Sequence, residues 1–179
     1  MTRYVALLRG INLGARNRVP MRRLRELLED LGCTDVSTYL QSGNAVLNSP
    51  KRSADELSRD IEARIHADLA VDIRVLVFTA RTLTAMVAAN PLETPGRDPV
   101  KLHAAFLSEQ PAADRLRSIT STDFGGEEVA VGKKVIYLWL PNGYGRAKLP
   151  AELTDKKLGV AVTVRNWRTV TALEQLARS

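Results

Sequence analysis

The 179-residue sequence predicts an α+β fold made of two tandem split βαβ, or ferredoxin-like, subdomains, each with an added helix. Two observations predict it. The apolar periodicity runs strand, helix, strand, strand, helix, strand and a further helix, and then the same order repeats. Between the two passes lies the densest run of chain-breaking residues, Pro91, Pro95, Gly96 and Pro99. Residues 1–90 are therefore expected to form one ferredoxin-like subdomain, 91–100 a linker, and 101–179 a second α+β subdomain of the same order.

The elements follow in chain order. Residues 3–9 read as a buried strand and 12–19 as a polar loop. Pro20 opens a helix whose stripe is Met21, Leu24, Leu27, Leu28 and Leu31, closed by Gly32. Residues 36–41 and 44–48 are strands joined by a tight turn at Ser42-Gly43. Ser53, with Glu56 three residues on, has the form of a capping box, and Leu57, Ile61, Ile65 and Leu69 line the helix it starts. A strand over 72–78 and a helix over 79–89 complete the first pass. The second comprises strand 101–107, helix 112–119, a hairpin of 128–131 and 135–140 around Gly132-Lys133, helix 150–158, strand 160–164 and helix 167–177.

Composition excludes several classes. With 45% hydrophobic and 26% charged residues the chain reads as a soluble globular protein, and no apolar run approaches the ~20 residues of a membrane span. The N-terminal residues lack a signal-peptide pattern, and the single cysteine, Cys33, forms no internal disulfide. A cytoplasmic location and no membrane partner are expected. Two histidines, His66 and His103, lack ligand-like spacing, so no metal and no cofactor are expected. Ser42 is not in a nucleophile elbow, and Gly10 to Gly14 form neither a Walker loop nor a dinucleotide fingerprint. The net charge of +6 admits nucleic acid or an acidic metabolite, and the charge is uneven. Arg3, Arg9, Arg16, Arg18, Arg22, Arg23 and Arg25 precede the first acid, Glu26. Arg22, Arg23 and Arg25 open the Pro20 helix while Glu29 and Asp30 close it, which opposes the helix dipole unless an anion sits there.

Three strands end in polar segments without a carboxylate: Arg9-Gly10-Ile11-Asn12, Gln41-Ser42-Gly43-Asn44 and Arg165-Asn166-Trp167. In a split βαβ unit the first two strands run parallel, so the first two segments should meet on one sheet edge. The same rule brings residues 141–148 beside 165–167, and the two edges are expected to line an interdomain cleft. Arg9, Asn12, Ser42, Asn44, Lys101, Tyr144, Lys148, Arg165 and Asn166 are the expected ligand-binding residues, arginine forks holding phosphate or carboxylate. Gly143-Tyr144-Gly145 offers backbone N–H groups to a phosphate or is a plain turn. The expected partner is a nucleotide, nucleic acid or other anionic ligand. The RRM signature is absent, and Tyr4, Tyr39, Tyr137, Trp139 and Trp167 are the available base stackers. One alternative is an enzyme on a phosphorylated or carboxylated small molecule, with Tyr144, His103 or Ser42 moving protons. The other is that the polar segments are structural networks.

Leu7 to Gly14, Val19-Pro20-Met21, Thr38 to Leu47, Asp98 to Lys101, Tyr137-Leu138 with Pro141, Gly143 to Leu149 and Thr163 to Val170 together resemble the bacterial domain-of-unknown-function family 1697. The chain departs from that pattern at Leu13, Ala15, Leu40 and Arg146-Ala147. The resemblance implies a two-subdomain α+β fold with a ferredoxin-like first part, and carries no assigned activity.

Overall fold

A computed structural model describes residues 1–51 and 53–179. They form two compact units: Met1–Thr84 with Leu173–Ser179, and Ala85–Ala172. The first contains β1 (Thr2–Leu8), α1 (Met21–Asp30), β2 (Thr34–Tyr39), β3 (Asn44–Ser49), α2 (Ala54–Leu69) and β4 (Val75–Thr79). Its sheet has the order β2-β3-β1-β4, with every neighbouring pair antiparallel. β1 and β2 thus run parallel on either side of β3, the split βαβ arrangement the element order predicts.

The apolar stripes account for the packing. Met21, Leu24, Leu27 and Leu28 of α1 and Leu57, Ile61 and Ile65 of α2 are buried. They pack with Tyr4, Ala6 and Leu8 of β1, Ala45 and Leu47 of β3, and Val75 and Val77 of β4. The alternate residues Val5, Leu7, Val46, Leu76 and Phe78 are buried as well, so neither face of this sheet is open. Ser53 caps α2 by accepting from the Glu56 N–H (3.3 Å), but only half of the expected capping box forms. The Glu56 carboxylate takes the Lys51 ammonium at 2.7 Å instead.

The second unit repeats the topology with β5 (Leu102–Leu107), α4 (Ala113–Thr120), β6 (Glu128–Gly132), β7 (Val135–Trp139), α5 (Asp155–Leu158) and β8 (Val162–Asn166), in the order β6-β7-β5-β8. Two helices, α3 (Ala80–Ala88) and α6 (Trp167–Arg178), follow the two passes. Ala105, Leu107, Ile136, Leu138 and Val162 carry the core with Ile119 of α4. The helix expected over 150–158 is two short pieces, a 3-10 turn at Leu149–Glu152 and then α5. Thr154 restarts the chain by accepting from Lys157 N–H, and left-handed Gly159 ends it. The hairpin turn falls at Lys133-Lys134. Gly132 stays in the strand, paired with Val135, at a position where a Cβ would lie 2.8 Å from Val135 Cγ1.

Residues 91–100, expected as a linker, are tied to the second unit. Arg97 pairs with Glu128 at 2.6 Å, its guanidinium lies 4.8 Å over the Trp139 ring, and Asp98 caps a 3-10 turn at Pro99–Lys101.

Candidate functional site

At the C-terminal edge of the first sheet the two expected segments meet. Leu8 N–H donates to Gly43 O (2.8 Å), and Asn12 Nδ2 donates to Gln41 O (2.7 Å) and Val19 O (3.0 Å). Asn12 Oδ1 accepts from Val19 N–H at 2.9 Å. Asn12 itself sits in the left-handed region at φ 55°, where asparagine is tolerated. Asn44 is fully buried and donates to Tyr39 O (2.8 Å) and Ser42 Oγ (3.0 Å). Gly43 must be glycine: its φ is 82°, and a Cβ would lie 2.6 Å from Ile11 Cδ1 and 2.7 Å from Leu8 Cβ. Asn12 therefore ties the first loop to the second, while Asn44 and Ser42 brace the turn between β2 and β3.

Arg9 is placed differently. Its N–H donates to Arg74 O at 2.9 Å, which fixes the exit of β1 beside the entry of β4. Arg9, Arg74 and Arg59 of α2 line one hollow of about 690 Å³ together with Asn17, Glu62, His66 and Asp72. Its two acids are engaged. Glu62 lies 3.6 Å from Arg74 and accepts from Val75 N–H at 2.8 Å, and Asp72 pairs with His66 at 2.7 Å. Arg59 and Arg74 are absent from the expected site. The usable signal was topological, because in this fold the residues entering the fourth strand abut those leaving the first.

The reversed charges of α1 have a structural partner. Arg23 donates through Nε to Asp68 (2.7 Å) and through Nη1 to Glu26 (2.9 Å), Arg22 reaches Glu26, and Arg64 takes Asp30 at 2.7 Å. These hydrogen bonds raise the Arg23 guanidinium and hold Asp68 and Glu26 below the usual carboxylate range. Acids of the protein, rather than a bound anion, answer that helix start.

In the second unit, His103 and Asn166 are cross-strand neighbours. Asn166 Nδ2 donates to Val100 O (2.8 Å) and faces His103 Nε2 at 3.4 Å, while its Oδ1 caps α6 by accepting from Arg168 N–H (3.0 Å). The buried His103 ring lies 5.1 Å from the half-exposed Tyr144 ring, and burial pushes the imidazole down. Lys101 is adjacent, its carbonyl accepting from Leu140 N–H at 2.9 Å. Lys101, Tyr144 and Asn166 are thus brought together.

Arg165 is not part of that group. It pairs with Ala104, on the opposite face from His103 and Asn166. Only 8% exposed, it donates to Thr163 Oγ1 (2.8 Å) and Val164 O (3.0 Å), and burial pushes its pKa down to about 10. The expected pairing of Arg165 with Asn166 in one site is corrected by strand alternation. In the glycine-rich loop two of the N–H groups are engaged within the protein. Gly143 N–H donates to Leu140 O, and Arg146 N–H to Gly143 O. The N–H groups of Lys148 and Leu149 both donate to the Glu127 carboxylate at 2.8 Å, an internal anion invisible to the sequence reading. Among the stackers, Tyr4, Tyr137 and Trp167 are buried, and Trp167 packs edge-on against Tyr137 with ring centroids 6.2 Å apart. An RRM-like stacking face is therefore absent among the described residues.

Two ferredoxin-like units, each with polar strand ends tied by asparagine amides, define an α+β protein with loop-built sheet edges. The chain belongs to the family described as "Protein of unknown function (DUF1697)", whose model matches residues 1–137. Its structure is similar to that of "conserved bacterial protein SP0830 from Streptococcus pneumoniae", with a TM-score of 0.80, 25% identity and 98% of each chain covered. No curated protein matches. Among the described residues there is no helix long and apolar enough to cross a membrane, and no cluster of three metal-ligating side chains.

Proposed function

We propose that this is a cytoplasmic binding protein for an anionic ligand, the phosphate of a nucleotide or nucleic acid, received by arginines at the edge of the first sheet. One observation carries the reading. Arg9, Arg59 and Arg74 come from three separate segments and line one hollow whose acids already have partners, Glu62 with Arg74 and Asp72 with His66. Guanidinium forks suit such oxyanions better than a point charge does. The single cysteine, buried and without a disulfide, fits a reducing compartment. In the second unit Tyr144 and Lys148 are exposed and Lys101 is half-buried, whereas Arg165 is buried on the other face of the sheet from Asn166.

The test is titration of the protein with inorganic phosphate and a nucleoside monophosphate, followed by amide NMR shifts or calorimetry. Arg9→Ala and Arg59→Ala are each expected to weaken binding ~10-fold or more, about 1.4 kcal/mol, at unchanged melting temperature. Absence of binding by the wild-type protein sinks the reading. A structural role for the amides has its own support: Asn12, Asn44 and Asn166 each bridge two or more protein groups. Substituting them should lower stability rather than affinity.

A further inference from the structure

We infer that this edge binds single-stranded nucleic acid without sequence preference, the arginine hollow taking one phosphate while Leu13 and Leu40 lie against neighbouring sugars and bases. The inference rests on the anion-binding reading and extends it from a small ligand to a strand.

Charge runs beyond the hollow. The loop after Arg9 carries exposed Arg16 and Arg18, and no acid precedes Glu26. That loop is continuous with the hollow, since Gly10 and Asn17 belong to its lining and Asn17 Nδ2 donates to Gly10 O at 3.3 Å. A single phosphate needs no such track; a chain of phosphates does.

Two apolar tips sit on the same edge. Leu13 is 74% exposed and Leu40 is 55% exposed. The Asn12 Nδ2 to Gln41 O bond joins the residues next to each of them, so the tips flank one bridge. Leu40 holds φ 59°, a left-handed conformation that a branched apolar residue resists. A leucine kept both strained and solvent-facing fits an external contact better than a turn.

The chemistry selects among polyanions. The amides of Asn12 and Asn44 are bonded within the protein, so the arginines and leucines carry the contact, to phosphate, sugar and base face. Aliphatic tips need unstacked bases, which a single strand offers and a duplex hides. Two leucines are too few to form the apolar centre of a protein interface of ordinary size.

The experiment is fluorescence anisotropy of a labelled 12-nucleotide single strand with the full chain, from 50 to 200 mM salt. One phosphate in the hollow and one at each of Arg16 and Arg18 predict a loss of roughly 20-fold in affinity over that range, from a slope of about −0.7 per phosphate. Arg16→Gln with Arg18→Gln should flatten the slope by about 1.4 while inorganic phosphate still binds the hollow unchanged. Leu13→Ser should weaken the strand by about 5-fold at every salt concentration with the slope retained. If inorganic phosphate binds and the oligonucleotide does not, the strand proposal falls and the small-anion reading stands. If neither binds, both fall. Equal affinity for duplex DNA or for polyglutamate, or an unaffected Leu13→Ser variant, overturns the single-strand assignment.

Discussion

Gly43 and Gly10 both hold left-handed backbone, at φ 82° and 62°, but differ in what surrounds them. A Cβ on Gly10 would meet nothing within 4 Å, whereas on Gly43 it would meet Ile11 and Leu8. An alanine at either position bears the left-handed penalty of about 1–2 kcal/mol. Both gain the same small benefit from a less flexible unfolded chain, so that term cancels between them. Gly43→Ala adds overpacking of about 1–3 kcal/mol, because the Cβ of Leu8 sits on a central strand and cannot swing away as a side-chain tip could. The expected totals are about 1–2 kcal/mol for Gly10→Ala and roughly 2–5 kcal/mol for Gly43→Ala. Urea denaturation of the two variants beside wild type measures the difference, and Gly43→Ala should melt several degrees below Gly10→Ala. Equal destabilisation would refute the claim that the turn after β2 is packed down onto Ile11.

Other perturbations follow from the same geometry. Leu40→Asn should stabilise the protein by about 0.5–1 kcal/mol, since asparagine tolerates the left-handed region, while weakening oligonucleotide binding; equilibrium denaturation and anisotropy read the two effects. Asp68 is held below its ordinary value by Arg23, so its stabilisation is present above the unfolded carboxylate range and is lost as pH falls through the depressed folded value. Asp68→Asn should therefore flatten stability against pH in the acid region, seen by denaturation from pH 3 to 6. His103 is pushed down by burial, so the unfolded chain takes up its proton first. Its stabilisation is full above the ordinary value of about 6.5 and falls as pH drops below it. NMR titration should find His103 titrating below the ordinary histidine value.

The fold was legible because apolar period and punctuation are local. The stripes of α1 and α2, the Ser53 cap and the parallel course of β1 and β2 all follow from residues close in sequence plus one rule of handedness. The site was legible only in part. That residues 9–12 meet 41–44 follows from topology, but that Asn12 and Asn44 turn inward does not, since an amide serves a ligand or a backbone carbonyl equally well. Arg165 and Asn166 were grouped by adjacency although consecutive strand residues point to opposite faces. Glu127 was missed because a carboxylate some twenty residues away in sequence fills the N–H groups of Lys148 and Leu149. Arg59 and Arg74 join Arg9 only after α2 and β4 are packed in place.

The first unit is discontinuous, and this has a consequence for biosynthesis. Arg3 Nη2 donates to Leu176 O at 3.2 Å and Thr84 Oγ1 to Glu174 at 2.9 Å, so residues near both ends of the chain complete the same body. A ribosome must make all of residues 85–172 between Thr84 and Leu173, a delay of roughly 5–20 s at ordinary elongation rates. During that interval the nascent first unit lacks its closing segment, and the apolar surface that Leu173 and Ala177 help to cover stays open.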